Sequence, residues 1–286
     1  MDNQPEAKKH NPLSEYFRHP SIYLRLPSKG RFWPNETLDL PANNEIPVYP
    51  MTTKDEIMLR TPDALLNGSG VVNVIQSCCP NIRNGWMTPS VDVDALLIAI
   101  RIATYGHSMD FDTKCPHCGE DNSHAIDLRP VLETIACPDY SNKLEYNDIK
   151  IKLKPQPYFT ANKTSMISFE EQKIIETLNK TDLSNEIKSI EINKSMERLT
   201  EISIDTVTDS TEYVEMPDGS IVNNRDHIKE FYINVENRLV KLIQTKLVEF
   251  NELTQLSPQS VQCNSCNELY NVPVIFDYSN FFGVGF

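Results

Sequence analysis

The residues best suited to chemistry are the cysteines of two Cys-x-x-Cys motifs that lie far apart in the chain. They are Cys115-Pro-His-Cys118 and Cys263-Asn-Ser-Cys266. A closed tetrahedral zinc site takes four ligands, and two cysteines at this spacing can both direct their sulfurs to one ion. The motifs therefore predict a structural Zn²⁺ held by Cys115, Cys118, Cys263 and Cys266. Because protein sulfurs would fill all four coordination positions, none would be open for a catalytic water.

The residues around both motifs favour zinc knuckles, in which each cysteine pair lies near the tip of a β-hairpin. Gly119 and Asn267 follow the second cysteine of each motif, and both residue types suit the left-handed turn of a knuckle. The 144 residues between Cys118 and Cys263 far exceed the connection in a free-standing zinc ribbon. Such an insertion is tolerable, because closure entropy grows only with the logarithm of loop length. Two unrelated cysteine pairs are the alternative.

The first motif also looks like the redox site of strongly oxidising thioredoxin-fold enzymes, in which a histidine lowers the pKa of a thiol. That fold needs the first cysteine at the start of a helix, whereas here a helix precedes the motif and Gly119 follows it. We therefore expect His117 to be an exposed knuckle residue and not a ligand. The vicinal pair Cys78-Cys79 could suggest metal or redox chemistry. We expect instead that both are buried and pack as small apolar side chains.

No other motif in the sequence indicates catalysis. A glycine-rich phosphate loop, Gly-x-Ser-x-Gly and His-Glu-x-x-His are all absent from the sequence. We therefore expect no catalytic residues, and a protein that is not an enzyme and has no small-molecule substrate.

The composition disfavours two classes of partner. The net charge is −13 and the pI is about 4.9, whereas binding to a phosphate backbone requires clustered lysine and arginine. The first ten residues lack the apolar stretch of a signal peptide, and the longest apolar run, 95–100, is too short to span a bilayer. We expect no nucleic-acid partner, no membrane partner and a cytoplasmic protein with reduced thiols.

Periodicity and capping signals predict the order of the elements. The N-terminal part contains a strand over 22–26 and helices over 61–68, 71–77 and 90–103, with Gly106 ending the last helix. Short strands over 109–113 and 124–128 flank the first motif. The remaining elements are a strand over 149–153, helices over 164–180 and 183–203, a hairpin turning at 217–219, one amphipathic helix over 226–253 capped by Asp226, and a strand over 270–276.

These elements indicate four parts: a flexible arm (1–15), a helical N-terminal domain with extended aromatic and proline-rich segments (16–108), a split zinc ribbon with a C-terminal tail (109–129 plus 259–286) and an inserted helix and hairpin domain (130–258). The expected fold class is α+β, with a mainly helical N-terminal domain plus a zinc ribbon that is interrupted by a large α/β insertion. The apolar stripe over 226–253 is expected to face the core, with a partner surface as the alternative.

Several segments of the N-terminal part carry a family resemblance. They are Pro20-Ser-Ile-Tyr-Leu-Arg-Leu-Pro-Ser-Lys-Gly-Arg-Phe-Trp33, the stretch from Glu45 to Gly68, Ser77-Cys-Cys-Pro-Asn-Ile82 and the stretch from Asp94 to Gly106. Together with the first knuckle they resemble the T4-type phage baseplate hub assembly family, best over 15–130 and more weakly over 130–258.

The resemblance implies a non-enzymatic role in building the hub of a contractile tail, as a hub subunit or as an assembly chaperone. The implied partners are other phage tail and baseplate hub proteins. The implied location is the host cytoplasm during assembly and, for a subunit, the virion tail baseplate. The inserted domain, 130–258, would offer these partners an acidic, partly apolar surface.

A zinc-ribbon nucleic-acid-binding protein, such as a phage transcription factor, is the alternative function. The acidic composition and the scarcity of basic residues around Cys263 and Cys266 argue against it.

Overall fold

The computed structural model describes residues 11–59, 61, 67–181, 184–256 and 258–273. Over these residues the fold is mixed α/β, with eight α-helices and ten short strands that form small antiparallel sheets. Short 3-10 helices at Pro12–Tyr16 and Gly85–Met87 complete the regular structure of this part of the chain.

Helix α3 (Ser90–Tyr105) is the centre of the N-terminal part. It is apolar on almost every side and ends at Gly106, whose φ of 87° is in the left-handed region, as predicted. Packed around it are the antiparallel strands β1 (Ile22–Leu24) and β2 (Ile46–Val48) and the helices α1 (Thr53–Leu59) and α2 (Ser69–Cys78).

A buried carboxylate fastens the N-terminal segment to α3. Asp92 is 0% exposed and accepts hydrogen bonds from Ser28 N (2.8 Å), Ser28 Oγ (2.5 Å) and Trp33 Nε1 (2.8 Å). Burial raises the pKa of Asp92, while the hydrogen bonds from Ser28 and Trp33 oppose that rise. The buried polar atoms of this contact therefore satisfy one another.

The remaining elements follow α3 in chain order. They are β3 (Ser108–Lys114), β4 (Asp121–Asp127), α4 (Leu128–Thr134), β5 (Lys143–Tyr146), β6 (Ile149–Leu153), α5 (Tyr158–Lys180), α6 (Asn185–Asp209), β7 (Thr211–Glu215), β8 (Ile221–Val222), α7 (Arg225–Asn234), α8 (Asn237–Thr254), β9 (Gln259–Gln262) and β10 (Leu269–Val272). Strands β5, β6, β7 and β8 form a sheet in that order, and α5 and α6 form a long antiparallel helical hairpin.

The described core consists of three apolar clusters. The first surrounds α2 and α3 and includes Tyr158 of α5. The second joins the four-stranded sheet to α7 and α8, and Val91 of α3 packs into it. The third is small and lies between the β3–β4 and β9–β10 hairpins, where Cys115, Cys263 and Tyr270 are buried.

The prediction of one helix over 226–253 is wrong, because the chain forms two helices, α7 and α8. Between them, Val235 has an extended backbone and Glu236 has a ψ of 134°, so neither residue is helical. The break lets Tyr232 of α7 and Ile243 of α8 contact the same core cluster. The predicted cap is also wrong, since Asn224 accepts the hydrogen bonds of the first turn of α7.

Other boundaries differ by a few residues. Helix α5 begins directly after Pro157, six residues before its predicted start, and its first turn buries Tyr158 and Thr160. Residues 62–66 of the predicted 61–68 helix lie outside the described residues, as do 274–276 of the predicted 270–276 strand. Gly68 precedes α2 with a φ of 74°.

Candidate metal centre

The β3–β4 hairpin carries the first cysteine motif in its turn, as the sequence predicted. The two strands pair in register from Ser108 and Asp127 to Lys114 and Asp121. Within the turn, Cys115 N donates to Glu120 O (2.9 Å) and Gly119 N donates to Cys115 O (2.9 Å). Gly119 has a φ of 78°, the conformation expected of this position.

The β9–β10 hairpin repeats this turn around the second motif. Cys263 N donates to Glu268 O (3.0 Å) and Asn267 N donates to Cys263 O (3.0 Å). Asn267 has a φ of 61°, which matches the left-handed conformation of Gly119. The two motifs are therefore equivalent knuckles with the same backbone hydrogen bonds.

The fold brings the four cysteine sulfurs together. All four lie within 4.8 Å of one another. Cys115 Sγ is 3.8 Å from Cys266 Sγ, and Cys118 Sγ is 3.6 Å from Cys263 Sγ. A tetrahedral ion with Zn–S bonds of about 2.3 Å places its sulfurs about 3.8 Å apart. Both printed distances are close to this value, so the cluster is compatible with a four-sulfur metal site, and both are too long for a disulfide.

The sulfurs differ in exposure and in acidity. Cys115 and Cys263 are buried, Cys266 is half-buried and Cys118 is exposed. Backbone N–H groups, that of Cys266 foremost, lower the pKa of Cys263 to about 6. The backbone of Glu120 lowers the pKa of Cys118, but desolvation and the neighbouring thiols outweigh it and raise the value to about 12.

Two polar contacts join the hairpins beside the sulfurs. Asn122 of β4 donates from Nδ2 to Cys263 Sγ (3.5 Å) and accepts at Oδ1 from Asn264 N (2.8 Å). The hydroxyl of Tyr270 on β10 hydrogen-bonds Thr113 Oγ1 (2.6 Å) and His124 Nε2 (3.1 Å). Each contact joins residues that are more than 140 positions apart in the chain.

Sequence reasoning did not single out Asn122, Tyr270, Thr113 or His124. The available signal was the alternation along β4, which puts Asn122 and His124 on the same face of the strand. The partner of His124 is Tyr270 on β10, and those of Asn122 are Cys263 and Asn264 in the second knuckle. None of them could be identified without the pairing of the hairpins.

The structure separates the other cysteines from this cluster. Cys78 and Cys79 are buried, as predicted, and burial raises the pKa of both thiols, that of Cys78 to about 12. Cys115 lies in a hairpin turn, so it lacks the helix start that a thioredoxin-type redox site needs. His117 is exposed on the same turn, as predicted.

Comparison with known families assigns the chain. Residues 33–283 match the family model described as T4 bacteriophage base plate protein. The chain belongs to this baseplate family. The resemblance found in the N-terminal segments is confirmed, and the match also extends across the inserted residues, where the resemblance was weaker. Comparison with curated proteins and with solved structures gives no match.

Membership of the baseplate family indicates a structural or assembly role and contacts with other baseplate proteins. It also indicates a place in the virion tail baseplate. Among the described residues, no helix combines the length and apolar character that crossing a membrane requires.

Proposed function

We propose that this baseplate protein is a non-enzymatic hub assembly protein, either a hub subunit or an assembly chaperone, and that it acts by protein–protein binding. The observation that carries the proposal is the α5–α6 hairpin, which exposes several large apolar side chains to solvent. They are Phe159, Phe169 and Ile174 on α5, and Ile187, Ile190 and Met196 on α6.

Phe159, one of these side chains, also lines a groove between the two helices at the base of the hairpin. This groove, of about 500 Å³, is lined by apolar Phe159, Ile167 and Ile202 and by charged side chains of both signs, among them Lys163 and Glu201. On α5, residues 159, 163, 167, 170 and 174 recur at spacings of three and four, so Ile174 lies on the groove side of the helix. Apolar side chains, with Lys163 and Glu170 between them, therefore run from the base of the hairpin towards its tip, in the manner of a helix-binding surface.

The division into domains completes the proposal. A helical N-terminal unit (16–108) supports a split ribbon (109–129 plus 259–286), and the ribbon holds the insertion (130–258) at both of its ends. Cys115, Cys118, Cys263 and Cys266 would hold a structural Zn²⁺ with no open coordination position. The ion would supply attachment between the knuckles and no chemistry.

Substitution at the hairpin tip tests the binding surface. The double variant Ile187→Glu/Ile190→Glu places two charges at positions that are 48% and 55% exposed. The matched control is Ile57→Glu/Leu253→Glu, at positions that are 62% and 67% exposed. Each variant is expressed from a phage genome that lacks the wild-type copy. Hub proteins that co-purify with the tagged protein are then identified by mass spectrometry.

We expect the tip variant to lose the hub proteins and the control variant to retain them. Equal recovery by the two variants, both folded by circular dichroism, would contradict the assignment of the surface to the hairpin. Mass spectrometry of purified particles then distinguishes the two roles. Presence in the particle supports a subunit, and absence combined with recovery of hub proteins supports a chaperone.

The surface around the knuckles does not favour the nucleic-acid alternative. The charged residues next to the cysteines are Lys114, Glu120, Asp121 and Glu268, all exposed, so acids outnumber bases there. A phosphate backbone would be repelled by this surface.

A further inference from the structure

We propose that Asn122 is a positioning residue of the metal centre, one that fastens the second knuckle to the first and withdraws charge from the Cys263 sulfur. The inference rests on the proposed zinc centre and concerns a side chain outside the ligand set.

The position of Asn122 makes it a bridge between the knuckles. Its side chain is buried, with the residue 4% exposed, and lies on β4 opposite Thr113. Its Nδ2 donates to Glu120 O (3.0 Å) in the first knuckle and to Cys263 Sγ (3.5 Å) in the second. A single buried amide therefore contacts the backbone of one turn and a sulfur of the other.

The partners of Asn122 fix the orientation of its amide. The carbonyl of Glu120 can only accept, and the backbone N–H of Asn264 can only donate. A rotated amide would place Oδ1 against that carbonyl and Nδ2 against that N–H. The orientation that directs a donor at the sulfur is thus the one that satisfies all three partners.

A donor at this sulfur has a physical consequence for metal binding. Four thiolates around one Zn²⁺ leave an excess of two negative charges, and hydrogen bonds to the sulfurs disperse it. Cys263 receives one such bond from Asn122 and others from backbone N–H groups, those of Ser265 (3.4 Å) and Cys266. Loss of an outer hydrogen bond of this kind typically weakens metal binding by about 10- to 100-fold.

The chain provides matched controls. Asn264 is an exposed asparagine that contributes only its backbone N–H to the bridge, so Asn264→Ala leaves all three bonds in place. Tyr270→Phe removes a different contact between the hairpins without touching a sulfur. A further variant, Asn122→Asp, keeps the size of the side chain and the acceptor for Asn264 N. It replaces the donor at the sulfur with an anionic oxygen.

The experiment measures the Kd of the full-length protein for Zn²⁺ by competition with a chromophoric chelator, at one pH. We expect Asn122→Ala to raise the Kd by about 10- to 100-fold. Asn122→Asp should raise it at least as much, because its carboxylate repels the thiolate. Asn264→Ala should match wild type, and Tyr270→Phe should raise the Kd less than Asn122→Ala does. With Co²⁺, the sulfur-to-metal charge-transfer absorption of Asn122→Ala should keep its wild-type intensity, since all four ligands remain.

Two results would overturn the inference: a Kd for the Asn122 variants equal to that of Asn264→Ala, or a loss in Tyr270→Phe as large as in Asn122→Ala. The second result would mean that any contact between the hairpins acts in the same way. If Asn122→Ala does not fold, the near-isosteric Asn122→Asp decides. Failure of wild type to bind Zn²⁺ or Co²⁺ would refute the metal centre itself, an outcome distinct from failure of the bridge.

Discussion

Removal of the proposed Zn²⁺ should destabilise the protein by an amount that follows from the loop it would close. Cys118 and Cys263 are 145 residues apart in the chain. A cross-link that closes a loop of this size removes about 17 cal/mol/K of unfolded-chain entropy, or about 5 kcal/mol at 25 °C. The unfolding entropy of a chain of 286 residues is about 0.6 kcal/mol/K, so the loss corresponds to a fall in Tm of about 8 °C. Binding of Zn²⁺ to thiols of the unfolded chain would reduce this value.

The assay compares thermal unfolding of zinc-loaded and chelator-treated protein by circular dichroism. Cys263→Ser should unfold at the temperature of the zinc-free wild type and should not respond to added Zn²⁺. Cys137→Ser is the matched control, because Cys137 is half-buried and lies outside the sulfur cluster. A Tm that stays within about 1 °C on chelation, or a zinc response that survives in Cys263→Ser, would refute the loop-closure reasoning.

Three further outcomes are expected. Asp92→Ala leaves buried donors without their acceptor and should lower the free energy of unfolding in urea by about 3 to 5 kcal/mol, whereas Asp112→Ala on the exposed face of β3 should change it by less than about 0.5 kcal/mol. Although desolvation raises the pKa of Asp205, the hydrogen bond and charge of Lys229 lower it below the usual value. That stabilisation is complete above the unfolded pKa of about 3.9 and is lost as the pH falls through the folded value. Asp205→Asn should therefore lose less stability than wild type on acidification below about pH 4, measured as urea midpoints, and an identical loss would contradict the ion pair. In alkylation at pH 8 followed by mass spectrometry, Cys78 should stay unmodified in the native protein, and the four knuckle cysteines should react only after chelation; modification of the knuckles in zinc-loaded protein would count against a closed site.

The parts of the fold that local chemistry determines were predictable from the sequence. Gly119 and Asn267 have the left-handed conformations that a knuckle requires, and Gly106 ends the apolar helix α3. Each of these positions depends on residues within a few places in the chain, so the pattern was sufficient.

Helix α1 was within reach of the same reasoning but was not predicted. Thr52 and Asp55 form a reciprocal capping arrangement, in which Thr52 N donates to Asp55 Oδ2 (2.8 Å) and Asp55 N donates to Thr52 Oγ1 (3.3 Å). A threonine followed three residues later by an acidic residue is a signal for a helix start.

The rest depends on contacts between distant residues. The break between α7 and α8 places both helices against one core. The apolar spacing is continuous over 226–253, so it gave no signal of the break. In the sequence, Asn122 is only a polar residue in a short strand, and its role depends on the contact with the distant Cys263. No local pattern indicates which side chain of the second hairpin will come into contact with it.

The separation of the two knuckles also sets an order of events during synthesis. At about 5 to 20 residues per second, Cys263 is added roughly 7 to 30 s after Cys118. Throughout that interval a bound ion would have only two cysteine ligands, so the nascent chain must carry an unfinished site. The α5–α6 hairpin and the four-stranded sheet, which lie between the knuckles in the chain, are complete before the ribbon can close. The ribbon would therefore close only in a chain whose inserted residues have already been synthesised.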